Sequence, residues 1–119
     1  MIMATENEEQ VTLIDLIHLY YPFLIPYTIH IANQRQCSLA YGSKLKKMGV
    51  IAGVSDLFIA WPTLRHYGLW LELKSKKGKA TALQLEFIER MRKVGFYGCV
   101  AYGADDAFSV VKDYLGEKI

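Results

Sequence analysis

Residues 68–84 read GLWLELKSKKGKATALQ. In the first seven, side chains alternate in the way a strand with one buried face demands. Leu69, Leu71 and Leu73 fall on one face; Trp70, Glu72 and Lys74 fall on the other. KSKKGKA then reads as a turn. From Thr81 to Val94 the apolar residues Leu83, Phe87, Ile88, Met91 and Val94 recur at helical spacing. Phe96 to Tyr102 is a further strand. Strand, crossover helix and strand make a βαβ unit, whose length suits a parallel, right-handed connection.

Upstream, residues 50–61 (VIAGVSDLFIAW) contain a strand from about Asp56. Leu57, Ile59 and Trp61 point one way; Asp56, Phe58 and Ala60 point the other. About six residues separate this strand from the next, which suits a hairpin. Residues 27–32 (YTIHIA) favour another strand, and 39–48 (LAYGSKLKKM) a short helix ended by Gly49. Residues 6–21 read as a helix with an acidic first turn and an inner stripe of Leu13, Ile14, Ile17, Tyr20 and Tyr21. Pro22 and Pro26 punctuate the chain after it. Asp105 is expected to cap a last helix through Leu115. The order predicts an α/β fold, a central mixed sheet flanked by helices, in one domain over 1–119.

The bulk properties exclude several classes. No apolar run approaches the roughly 18 residues of a membrane span. The opening MIMATENEEQ is acidic and polar, unlike a signal peptide, so a cytoplasmic setting is expected. Cys37 and Cys99 lack zinc-ligand spacing and read as reduced thiols. Net charge is only +2, but its distribution is uneven. Residues 35–93 hold twelve Lys and Arg, Arg35 among them, against Asp56, Glu72, Glu86 and Glu89. A basic middle suits a phosphate backbone, and ordinary solvated faces account for it equally well.

The polar face of the 68–74 strand sets a carboxylate, Glu72, beside an ammonium, Lys74. Alone this is an ordinary surface pair. Pairing with the strand that starts at Asp56 brings a second carboxylate to the same place on the sheet. Two close carboxylates repel unless a cation lies between them. Mg²⁺ or Mn²⁺ takes such oxygen ligands, and can polarise a phosphodiester and acidify a water. A neighbouring lysine can orient that water or stabilise the developing charge. Gln84, in the first turn of the next helix, borders the apolar stripe and faces the sheet. Thr81-Ala82-Leu83-Gln84 also fits a capping box, which would occupy Gln84 with the backbone. The sequence leaves both readings open.

GVSDL at 53–57, ELKSKKGKATALQ at 72–84 and VGFYGCVAYG at 94–103 together resemble the VRR-NUC (virus-type replication-repair nuclease) domain of the PD-(D/E)XK superfamily. IHIAN at 29–33 and KKMGV at 46–50 resemble its lead-in. The likeness spans nearly the whole chain, as in free-standing phage and bacterial members. It implies a restriction-endonuclease-like core and a Mg²⁺- or Mn²⁺-dependent DNA endonuclease. By resemblance, Asp56 and Glu72 are metal-binding carboxylates, Lys74 the superfamily lysine and Gln84 the helix glutamine. Leu73 stands where a backbone carbonyl reaches the metal. A glutamate on the first helix completes the site: Glu8 is favoured, with Glu9 the alternative. His30 and Asn33 end the lead-in strand, where contact with the site or DNA is open; His18 and His66 receive no role. Ser55 and Ala32 replace prolines common in the family.

Lys76, Lys77 and Lys79 lie on the turn beside the site, and Lys44, Lys46 and Lys47 just before the active-site strand. All six are candidate DNA-backbone contacts. No sequence-reading module is visible, so selectivity for DNA structure is expected. Free-standing members resemble dimeric Holliday-junction resolvases acting in the bacterial or phage-infected cell. Tyr20, Tyr21, Phe23 and Tyr27 are candidates for a homodimer interface or for the core. Flap or other branched-DNA cleavage is the alternative; a non-catalytic DNA-binding subunit and a small interaction domain are the rivals from other classes.

Overall fold

Thr5 starts the first helix, α1 (Glu6–Tyr20). Its hydroxyl accepts from the Glu8 N–H at 3.2 Å, and the Glu8 carboxylate accepts from the Thr5 N–H at 2.9 Å. This reciprocal cap satisfies two donors that a helix start otherwise leaves open. The computed structural model describes residues 3–32 and 39–116; Asn33, Arg35 and Cys37 lie outside them. After α1, Pro22 opens a 3₁₀ turn, Pro22–Tyr27, that leads into β1 (Thr28–His30). Then follow α2 (Leu39–Lys47), β2 (Leu57–Ile59), β3 (Leu69–Lys74), α3 (Ala82–Lys93), β4 (Tyr97–Tyr102) and α4 (Ala104–Leu115).

The sheet has the order β1-β2-β3-β4. β1 and β2 are antiparallel, as are β2 and β3, whereas β3 and β4 are parallel across α3. This is the mixed sheet and the βαβ unit that the spacing predicts. Leu57 faces Leu71 and Ile59 faces Leu69. These four, with Leu73, are fully buried and form one core with Leu13 and Ile17 of α1 and Ala107, Val111 and Tyr114 of α4. Each such leucine contributes about 1.5–3 kcal/mol by leaving water. α1 and α4 pack on each other and on β3. Trp70, of the opposite alternation, meets Phe58 at 4.4 Å and Phe87 of α3 at 5.0 Å between ring centres.

Two expectations change in detail. β1 and β2 are three residues each, shorter than the alternation suggested, because their ladder runs only from Thr28–Ile59 to His30–Leu57. Asp56 therefore stands just before β2. The cap of α4 is Gly103 rather than Asp105, and Gly103 supplies no side-chain acceptor. The acceptor comes from α1: Glu9, 8% exposed, accepts from the Ala104 N–H at 3.2 Å. A side chain at Gly103 (φ 89°) would crowd Glu9 and Lys76. Asp106 instead accepts from the Tyr102 N–H at 2.9 Å.

Candidate active site

The ends of β3 and of the segment before β2 meet on the sheet face opposite the leucine core. One step beyond Leu57–Leu71, the antiparallel register sets Asp56 opposite Glu72. The Asp56 carboxylate accepts from the Leu73 N–H at 3.0 Å, which fixes it to the neighbouring strand. Leu73 thus touches the site through its N–H.

Glu72 is fully buried. A buried carboxylate is costly unless charge or hydrogen bonds compensate it. One of its oxygens, Oε2, receives both neighbours: Gln84 Nε2 donates at 3.2 Å, and Lys74 Nζ lies at 3.5 Å. Lys74 is itself only 4% exposed, so the ion pair is internal rather than a surface pair. Gln84 satisfies both of its readings at once. Its Oε1 accepts from the Thr81 N–H at 2.8 Å, closing the capping box of α3, while its Nε2 holds Glu72.

Among the described residues, the carboxylate that lies with Asp56 and Glu72 is Glu6, where the sequence favours Glu8 with Glu9 as the alternative. Glu6, Asp56 and Glu72 each offer an oxygen within 4.8 Å of the others. Glu8 closes the Thr5 cap, and hydrogen bonding to its carboxylate from the Thr5 N–H, and then from the Thr5 side chain, holds its pKa below the ordinary value. Glu9 points to α4. The capping-box spacing Thr5-x-x-Glu8 is the sequence signal that assigns Glu8 to the helix end.

The donor set is all oxygen and anionic, which suits a hard divalent cation. The three oxygens lie within 4.8 Å of one another; ligands on opposite sides of an ion with ~2.1 Å metal–oxygen distances stand ~4.2 Å apart, so a small inward shift of the side chains would let them share one ion. Beside them a polar cleft of about 350 Å³ is lined by Thr5, Glu6, Asn7, Gln10, His30, Ile31 and Asp56. Gln10 Nε2 and His30 Nδ1 lie 3.1 Å apart there, so His30 stands beside the acidic cluster. Ser55 is fully buried behind Asp56, and its hydroxyl has no hydrogen-bond partner among the described residues. The six candidate DNA-contacting lysines, Lys44, Lys46, Lys47, Lys76, Lys77 and Lys79, are all exposed.

One solved structure, described as a VRR_NUC domain protein, superposes with a TM-score of 0.85 at 30% identity, over 98% of this chain and 92% of that one. The chain belongs to the VRR_NUC family. No family model and no curated protein matches it. VRR_NUC is a nuclease family with a PD-(D/E)XK-like fold, and in this chain the cluster of Glu6, Asp56 and Glu72 is the metal-binding candidate. No helix among the described residues is long and apolar enough to cross a membrane.

Proposed function

We propose that this VRR_NUC chain is a metal-dependent endonuclease that cleaves branched DNA, acting as a homodimer on four-way junctions. The observation that carries the reading is the convergence of three carboxylates, Glu6, Asp56 and Glu72, with a buried lysine, Lys74. Glu6, Asp56, Glu72 and the Leu73 carbonyl would hold Mg²⁺ or Mn²⁺. Bound there, such an ion polarises the phosphodiester and lowers the pKa of a water. The Lys74 side chain, beside Glu72, would face the phosphorus, where negative charge grows as water attacks. Gln84 orients Glu72 and keeps its oxygen directed at the site. His30, across the cleft, offers a further contact to the strand being cut. Lys76, Lys77 and Lys79 follow β3 directly, and Lys44, Lys46 and Lys47 lie on α2; both groups suit backbone contacts.

A junction needs two symmetric cuts, and one site per chain requires a second copy. Exposed Tyr20, Phe23 and Tyr27 supply an aromatic patch for it. The test uses labelled four-way junction, flap and plain duplex DNA with Mg²⁺, Mn²⁺ or EDTA. Paired symmetric cuts in the junction, lost in Glu72→Ala and Lys74→Ala, are expected. Cutting confined to flaps would keep the nuclease and remove the resolvase. Metal-independent DNA binding without cutting would mark a non-catalytic subunit.

A further inference from the structure

A second, larger groove of about 910 Å³ begins at the active site and runs between α2 and the start of α3. Lys74 and Gln84, both bound to Glu72, line it. So do Leu45, Val50, Ile51, Val54 and Leu83, and Lys46 stands on the α2 side. Val50, Ile51 and Leu83 are each about half exposed, so this apolar wall faces solvent. The wall is built in. Gly53, at φ 84°, lies so close to the Leu83 carbonyl that any Cβ would collide with it, which lays the 50–54 loop against α3.

The inference rests on the nuclease reading above. A phosphate cut at Asp56, Glu72 and Lys74 has a neighbouring nucleotide, and that nucleotide meets the groove. A paired helix would present its charged sugar–phosphate edge there, with base faces hidden in the stack. An unpaired nucleotide presents an apolar base face instead, while its phosphate finds Lys46 on the groove's α2 side. The groove's apolar lining is aliphatic among the described residues, and an unstacked base can be held between apolar side chains while a basic group meets its phosphate. We propose that this groove takes the base of an unpaired nucleotide adjoining the scissile phosphate, so that the enzyme selects DNA with single-stranded nucleotides beside the cut.

The test compares two substrates with the same branch, one fully paired and one with three unpaired nucleotides at the branch, using wild type and the double variant Ile51→Ser, Leu83→Ser. Both positions are exposed, so folding should tolerate them. Mn²⁺ affinity is measured alongside. Wild type should cut the unpaired substrate roughly tenfold faster. The variant should lose that preference with Mn²⁺ affinity and the paired-substrate rate unchanged. In parallel, 2-aminopurine at the unpaired position should change its emission on binding wild type in Ca²⁺, and not on binding the variant. Equal wild-type rates, or an unchanged preference in the variant, overturn the proposal. A variant that sediments as a monomer where wild type is a dimer assigns the groove to a second copy. If no DNA is cut, the nuclease reading fails by itself, and the 2-aminopurine signal still decides the groove.

Discussion

Glu6, Glu8 and Glu9 lie within four residues of one another, yet their carboxylates go to three different places. Glu6 joins Asp56 and Glu72, Glu8 closes the Thr5 cap, and Glu9 reaches α4. Glu6→Gln should weaken Mn²⁺ binding by at least the roughly 10–100-fold seen when an outer-shell partner of a metal is lost, and cleavage with it. Glu8→Gln should leave both nearly unchanged and lower only the melting temperature slightly. Titration calorimetry with Mn²⁺ separates the two, and equal loss in both variants would remove Glu6 from the site. Cys99 gives a pH-dependent prediction. Burial pushes its thiol up to about 11 from 9.0; Arg92 opposes the shift and Asp106 adds to it. Above pH 9 the unfolded chain ionises first, so folding stability should fall between about pH 9 and 11 and be unaffected below. Urea midpoints across that range, set against Cys99→Ala, check it: the variant should lack that component of the fall.

At the scale of elements, the buried Glu9 carboxylate joins α1 to the start of α4 across 95 residues of sequence. It takes the place of the cap that Gly103 cannot supply. Glu9→Ala should therefore destabilise the chain by about 1–2 kcal/mol, the usual loss for a helix cap with favourable dipole placement. Chemical denaturation measures it, and a change under ~0.3 kcal/mol would argue that water replaces Glu9 fully. The elements themselves were legible because they rest on period. Leu69, Leu71 and Leu73 had to share a face, and the helix 82–93 had to return the chain beside them. Hairpin pairing likewise places Asp56 near Glu72 from the spacing of the two strands alone. The third carboxylate was legible only in part: the Thr5-x-x-Glu8 spacing removes Glu8, but nothing local chooses between Glu6 and Glu9. All three glutamates suit a helix N-terminus, and which one turns inward depends on how Leu13 and Ile17 seat α1 on the sheet. The cap of α4 was missed because its acceptor comes from another element, which no local spacing reports. Gln84 shows the converse limit: by spacing, cap and site are alternatives, and one amide does both with its two ends.

At the scale of the whole molecule, charge and aromatic surface fall in different regions. Lys44, Lys46, Lys47, Lys76, Lys77 and Lys79 are exposed on α2 and the turn after β3, beside the candidate site. If they contact phosphates, each substitution by Gln should flatten the slope of log affinity against log salt by about 0.9, equally on every DNA sequence. The aromatic surface lies at the end of α1 and in the 3₁₀ turn that follows. Tyr20 is 61% exposed, Phe23 47% and Tyr27 43%, although their rings pack on Phe108 and Trp61. Tyr21 is the member that turns inward and stacks on Phe108 at 5.6 Å. Part of the segment is therefore core, and the exposed remainder is available to a second copy. Phe23→Asp places a charge in that patch without touching Glu6, Asp56, Glu72 or Lys74. Sedimentation should show a dimer for wild type and a monomer for the variant. The monomer should keep Mn²⁺ binding and still nick one strand, because each chain carries a whole acidic site. It should lose the paired cuts in a four-way junction, because the second strand then waits for an independent encounter. A wild type that is monomeric yet makes symmetric paired cuts would place dimer formation on the DNA and leave this patch without the role.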